Sequence, residues 1–81
     1  MIADLTGIAK KLFNATVTQW SRSGEAGSTE CFVGVDAANI EVELYVSEQK
    51  GLIRAVYNST PRKVFTLEFS DLPGLTNTHL H

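Results

Sequence analysis

From Ile40 to Val46 the chain alternates apolar and polar residues without interruption, Ile-Glu-Val-Glu-Leu-Tyr-Val. Strict period-two alternation predicts a half-buried antiparallel strand, with Ile40, Val42, Leu44 and Val46 on one face and Glu41, Glu43 and Tyr45 on the other. This is the cleanest strand signal in the sequence, and the neighbouring registers are counted from it.

At the N-terminus the period changes. Met1, Ile2, Leu5, Ile8, Ala9, Leu12 and Phe13 fall within an arc of about 140° at helical spacing, which predicts an amphipathic helix over residues 1–14. Asp4 near its start and Lys10 and Lys11 near its end suit the helix dipole. Gly7 costs about 1 kcal/mol relative to alanine, so the helix needs tertiary packing. The pattern stops after two heptads, too short for a coiled coil.

Between helix and reference strand, Ala15–Trp20 is rich in β-branched and aromatic residues and predicts a first strand, followed by a Ser/Gly-rich loop over Ser21–Thr29. Cys31–Val35 predicts the second strand and residues 36–39 a turn. Pairing Val35 with Ile40 turns Cys31, Val33 and Val35 inward and Phe32 and Gly34 outward, whereas the opposite parity would bury Asp36. Beyond Gly51, a two- or four-residue hairpin loop places Ile53, Ala55 and Tyr57 inside and Leu52, Arg54 and Val56 outside. A three-residue loop would bury Arg54 instead. Thr60-Pro61-Arg62 predicts the next turn, and Val64–Ser70 the fifth strand. Its expected register sets Tyr57 opposite Phe65, Ala55 opposite Leu67, Ile53 opposite Phe69 and Arg54 opposite Glu68.

These elements predict an α+β fold, with one N-terminal amphipathic helix packed on one face of a four- to five-stranded antiparallel meander. A small, partly closed β-barrel plugged by the helix uses the same strands. Residues 1–72 form the expected single domain, and residues 73–81 a short polar tail that Leu72 and Leu75 at most strap to the surface.

Composition narrows the function classes. No apolar run approaches the roughly 20 residues that span a bilayer, and no secretory signal opens the chain. The single cysteine, Cys31, has no internal disulfide partner, which fits a reducing compartment, so the expected location is cytoplasmic without membrane contact. A net charge of −2 offers no footprint for a phosphate backbone, and no nucleic-acid partner is expected.

Candidate chemistry is sparse. Gly24 and Gly27 match no phosphate-binding motif. His79 and His81 sit in the tail with Asp71 as the only third ligand to suggest. Cys31 is assigned to the core, where a thiol is inert. Glu41 and Glu43 stand about 7 Å apart along one strand face, a glycosidase-like spacing with no pocket around it. No catalytic, metal or cofactor site is therefore expected, and the chain reads as a non-enzyme.

The distinctive expectation concerns the sheet's outer face. With one helix to cover the inner side, Phe32, Tyr45, Leu52 and Val56 are left outside, rimmed by Glu43 and other glutamates and extended by Trp20. An exposed apolar cluster ringed by charge predicts a protein contact surface, for a homodimer, an adaptor or a small inhibitor of a larger protein. The alternative function is small-ligand binding between helix and sheet, with Tyr57 at the mouth.

Overall fold

The computed structural model describes residues 4–26 and 29–72. Helix α1 spans Leu5–Phe13 and is followed by strands β1 (Ser21–Ala26), β2 (Thr29–Val35), β3 (Glu41–Ser47), β4 (Leu52–Tyr57) and β5 (Lys63–Glu68), then a 3-10 turn at Phe69–Asp71. The strands form one antiparallel sheet in the order β1-β2-β3-β4-β5, an open meander with β1 and β5 at its edges. The fold is α+β, with a helix before a meander sheet; the barrel alternative does not form.

Helix α1 begins where its sequence supplies a cap. The Asp4 carboxylate accepts from the Gly7 N–H at 2.9 Å, satisfying one of the unpaired donors of the first turn. Lys10 and Lys11 occupy the last turn, and Asn14 in the left-handed conformation (φ 54°) ends the helix. Ile8, Ala9 and Phe13 are buried, with Leu5 and Leu12 packed beside them. Met1 and Ile2, predicted as helical, lie outside the described residues.

Residues 15–20 depart from expectation, because they form no strand. Ala15 and Val17 are buried in the core while Thr16 and Thr18 are exposed, so the predicted alternation exists, but the segment crosses the inner face as cover. It is pinned to the helix: the Thr6 hydroxyl donates to the Val17 carbonyl at 3.1 Å and accepts from Trp20 Nε1 at 3.1 Å. The first strand comes instead from the predicted loop. Ser21 pairs with Val33, Arg22 with Phe32 and Gly24 with Cys31, leaving Ser23 as an unopposed bulge. Pairing with β2 overrides the poor intrinsic strand preference of Ser21–Ala26, as tertiary context often does.

The β2–β3 register is one residue away from the predicted one. Val35 lies opposite Glu41, Val33 opposite Glu43, and Phe32 opposite Leu44. A one-residue slip turns every side chain to the other face. Cys31, Val33 and Val35 therefore point outward, and Phe32 and Gly34 inward. The cause is the turn. Asp36 and Ile40 close it through a 2.9 Å backbone bond, and Asn39 adopts φ 66°, giving a three-residue loop where four residues were expected. This parity does bury Asp36, which is 8% exposed, but the carboxylate is well partnered. It accepts from the N–H groups of Ala38 and Ile40 at 3.0 and 2.9 Å and from the Tyr57 hydroxyl. These bonds offset the desolvation cost that argued against the register.

The remaining hairpins keep the predicted faces. A four-residue loop at 48–51 sets Ser47 opposite Leu52, so Ile53, Ala55 and Tyr57 face inward. Between β4 and β5 the pairing is shifted by two: Ala55 lies opposite Phe65, Ile53 opposite Leu67 and Arg54 opposite Thr66. A shift of two preserves the faces, which is why parity could not detect it, and the expected pairing of Arg54 with Glu68 is replaced by Leu52 with Glu68. Ile8, Val17, Val42, Leu44 and Ile53 form the fully buried centre. Phe13 stacks on Tyr57 with ring centroids 5.0 Å apart and touches Phe65 at 5.7 Å. Leu72, expected as a surface strap, is buried in this core, while Leu75 lies outside the described residues.

Candidate functional site

Outward-facing positions follow from the pairings just given. Strand β2 contributes Cys31, Val33 and Val35, β3 contributes Glu41, Glu43, Tyr45 and Ser47, β4 contributes Leu52, Arg54 and Val56, and β5 contributes Val64, Thr66 and Glu68. Helix α1 and residues 15–20 lie on the opposite side, so no described helix covers this face.

Of the predicted contact residues, Tyr45, Leu52, Val56 and Glu43 face outward. Phe32 and Trp20 do not: both pack against the core cluster on the helix side. Their expected outward orientation is corrected by the β2 slip and by the inward course of residues 15–20. Val56 is only 4% exposed, sheltered between Glu43 and Val64, so it underlies the face. Two exposed residues escaped the sequence reading, Val35 at 50% and Val64 at 43%. Val64 was legible by parity with Thr66; Val35 was hidden by the turn that sets its parity.

Polar side chains on the face are organised around Glu43. Its carboxylate accepts from the Tyr45 hydroxyl and from Asn58 Nδ2, the latter at 2.6 Å, and the same amide reaches Glu41 at 3.1 Å. The Tyr45 hydroxyl, followed by Asn58, holds Glu43 below its ordinary pKa, because hydrogen bonds to a carboxylate favour its charged form. The same bond acts in reverse on Tyr45, pushing the phenol well above its ordinary range, with desolvation adding to it. Tyr45 is therefore neutral and oriented. Its ring lies 6.0 Å from the Arg54 guanidinium, within cation–π reach.

Beside this pair is a groove of about 340 Å³, lined by Tyr45, Leu52, Arg54, Lys50 and the hydroxyl residues Thr29, Ser47 and Thr66. Neither Lys50 nor Arg54 makes an ion pair with a described residue, whereas Arg22 and Glu30 pair at 2.8 Å on the other side of the sheet. Glu41 and Glu43 lie toward one end of the outer face, where the charge of Arg62 also acts on Glu43, and Arg54 and Lys50 lie toward the other, where Glu68 faces outward opposite Leu52. The space between helix and sheet is filled by Ile8, Val17, Val42, Leu44 and Ile53, and Tyr57 is engaged with Phe13 and Asp36.

Cys31, expected in the core, is half-buried on the outer face opposite Tyr45. No group of three His, Cys, Asp or Glu side chains among the described residues could hold a metal ion. His79 and His81 lie outside the described residues. No described helix is long and apolar enough to cross a membrane. Comparison with protein-family models, curated proteins and solved structures finds no match.

Proposed function

We propose that the protein is a protein-binding module whose contact surface is the outer face of the sheet. The carrying observation is the groove at one end of that face, where a neutral, oriented Tyr45 stands beside two cations, Arg54 and Lys50, that make no ion pair with a described carboxylate. Tyrosine and arginine are the side chains most often dominant in protein contacts, since each combines apolar area with directional polar groups. Leu52 supplies an apolar floor, and exposed Val35 and Val64 extend the surface toward the acidic end. A partner presenting a carboxylate to Arg54 and Lys50, and a cation to Glu41 and Glu43, would match the face. Such a module serves as one half of a homodimer, as an adaptor, or as a small inhibitor of a larger protein. We place it in the cytoplasm on the strength of its single half-buried cysteine, and assign it neither catalysis nor nucleic-acid binding.

The test compares quantitative binding of a partner by the parent protein and by Tyr45→Ala and Arg54→Glu, each checked for a native circular dichroism spectrum. Each change should weaken the complex by about 30-fold, the effect of losing a central contact residue. Lys10→Glu, on the helix, should leave it intact. A partner retained equally by all three variants would place the contact elsewhere.

A further inference from the structure

The sheet has two edges, and they are built differently. Strand β1 is irregular, with a bulge at Ser23 and a polar Ser-Arg-Ser-Gly sequence, features that discourage the addition of another strand. Strand β5 has none of them. It pairs with β4 through six consecutive residues without a bulge, contains no proline, and has no described strand on its other side. It also carries exposed apolar side chains on both faces, Val64 at 43% outward and Phe65 at 44% inward.

We propose that β5 pairs antiparallel with β5 of a second copy of this chain, joining two sheets across a two-fold axis at Phe65. The proposal goes beyond the outer-face reading and uses the backbone edge of β5, whose Val64, Thr66 and Glu68 side chains border that face. The register follows from side-chain chemistry. A two-fold that keeps both helices on one side of the joined sheet sets a residue opposite its own counterpart, so moving the axis by one residue, from Phe65 to Thr66, shifts the pairing by two. With Phe65 at the axis, Val64 meets Thr66, Lys63 meets Leu67, and Arg62 meets Glu68 of the other copy, twice by symmetry. The two Phe65 rings then cover each other beside Phe13, already 5.7 Å from Phe65. Centring on Thr66 would instead set Val64 against Glu68 and Lys63 against Phe69. Opposite-charge and aromatic pairs are the favourable cross-strand combinations, so the Phe65 register is preferred. Glu68 already accepts from Ser70 Oγ at 3.4 Å, and its carboxylate keeps further lone pairs for a guanidinium. Arg62 is exposed and makes no ion pair with a described residue, its charge acting on Glu43 of its own copy only at longer range.

Sedimentation velocity on the full chain at micromolar and millimolar concentrations should show a monomer–dimer equilibrium. Arg62→Glu should weaken the dimer by about tenfold, and adding Glu68→Arg should restore it. In a Cys31→Ala background, mild oxidation should give a covalent dimer for Phe65→Cys and little for Thr66→Cys, because only residues at the axis bring their Cβ atoms within disulfide reach. A protein monomeric at both concentrations overturns the proposal, as does cross-linking through Thr66→Cys in preference to Phe65→Cys. A dimer lost in Tyr45→Ala but indifferent to Arg62→Glu also overturns it, and assigns self-association to the outer face.

Discussion

Gly34 is the position where the crossing segment and the sheet come closest, and substituting it separates two registers of β2 by the sign of the effect. An alanine Cβ at Gly34 would lie 2.4 Å from Val17 Cγ1, 2.9 Å from the Gln19 carbonyl oxygen and 3.1 Å from Trp20 Cε3. Ordinary carbon–carbon contact needs about 3.5–4.0 Å, so the Val17 methyl would have to retreat by roughly 1 Å. Val17 is fully buried and stiff at χ1, and the Gln19 oxygen is backbone, so neither yields cheaply. Overpacking of this kind costs about 1–3 kcal/mol, and three simultaneous contacts argue for the upper part, about 2–3 kcal/mol. In a domain of this size that is a fall in Tm of roughly 10–20 °C. Gly34 has no left-handed φ, so the penalty is one of space alone. Urea unfolding, followed by circular dichroism and by fluorescence of the single tryptophan, measures it, with an unchanged slope showing that stability alone has moved. In a Val17→Ala background Gly34→Ala should cost about 1 kcal/mol less, since the two side chains couple through contact. With Gly34 facing outward, as the simplest reading of the sequence has it, alanine would stabilise by about 0.4–1 kcal/mol through the unfolded chain. A neutral or stabilising Gly34→Ala refutes the crossing of residues 15–20 over β2.

Three further outcomes follow from the hydrogen bonds. Asp36 and Glu43 are held below their ordinary values of 3.8 and 4.5, chiefly by the Tyr57 and Tyr45 hydroxyls. Depressed carboxylates contribute stability that is present above their unfolded pKa and lost as pH falls through the folded one, so urea midpoints should drop between about pH 5 and pH 3. Tyr57→Phe should flatten that decline, and an unchanged acid limb would contradict the Asp36 bond. Both tyrosines of the chain are pushed above their ordinary 10.0, Tyr57 first by its bond to Asp36 and Tyr45 first by its bond to Glu43. Their contribution is complete below the unfolded pKa and lost as pH rises through the folded one. Tyrosinate absorbance of the folded protein should therefore rise later than in urea, and a normal midpoint for either ring sinks that assignment. Finally, Asp4→Ala should cost about 1 kcal/mol by removing the helix cap while Asp4→Asn largely keeps it, readable as a shift in urea midpoint.

Much of the architecture was legible because it depends on period and parity. The 3.6-residue spacing of Leu5, Ile8, Leu12 and Phe13 and the alternation of Val42, Leu44 and Val46 report directly which side chains leave water. Loop parity placed Arg54 and Leu52 outside because an unpaired guanidinium in the core is prohibitively costly. Within the candidate site, Tyr45, Glu43 and Leu52 were found this way. Phe32 and Trp20 were misplaced and Val35 was missed, all within residues 20–35, and Val64 was missed on β5.

What the sequence by itself determined was therefore the helix, the central strands and the faces of β3, β4 and β5, because each rests on burial along one segment. Tertiary structure alone decided the identity of β1, the inward turn of Phe32 and Gly34, and the two-residue shift of β5. Each depends on contacts between distant segments. Asp36 is tolerable inside only because Tyr57, 21 residues away, donates to it, and Ser21–Ala26 becomes a strand only because β2 offers its edge. A one-residue difference in the Asp36–Ile40 turn then determines which row of side chains the protein presents outward.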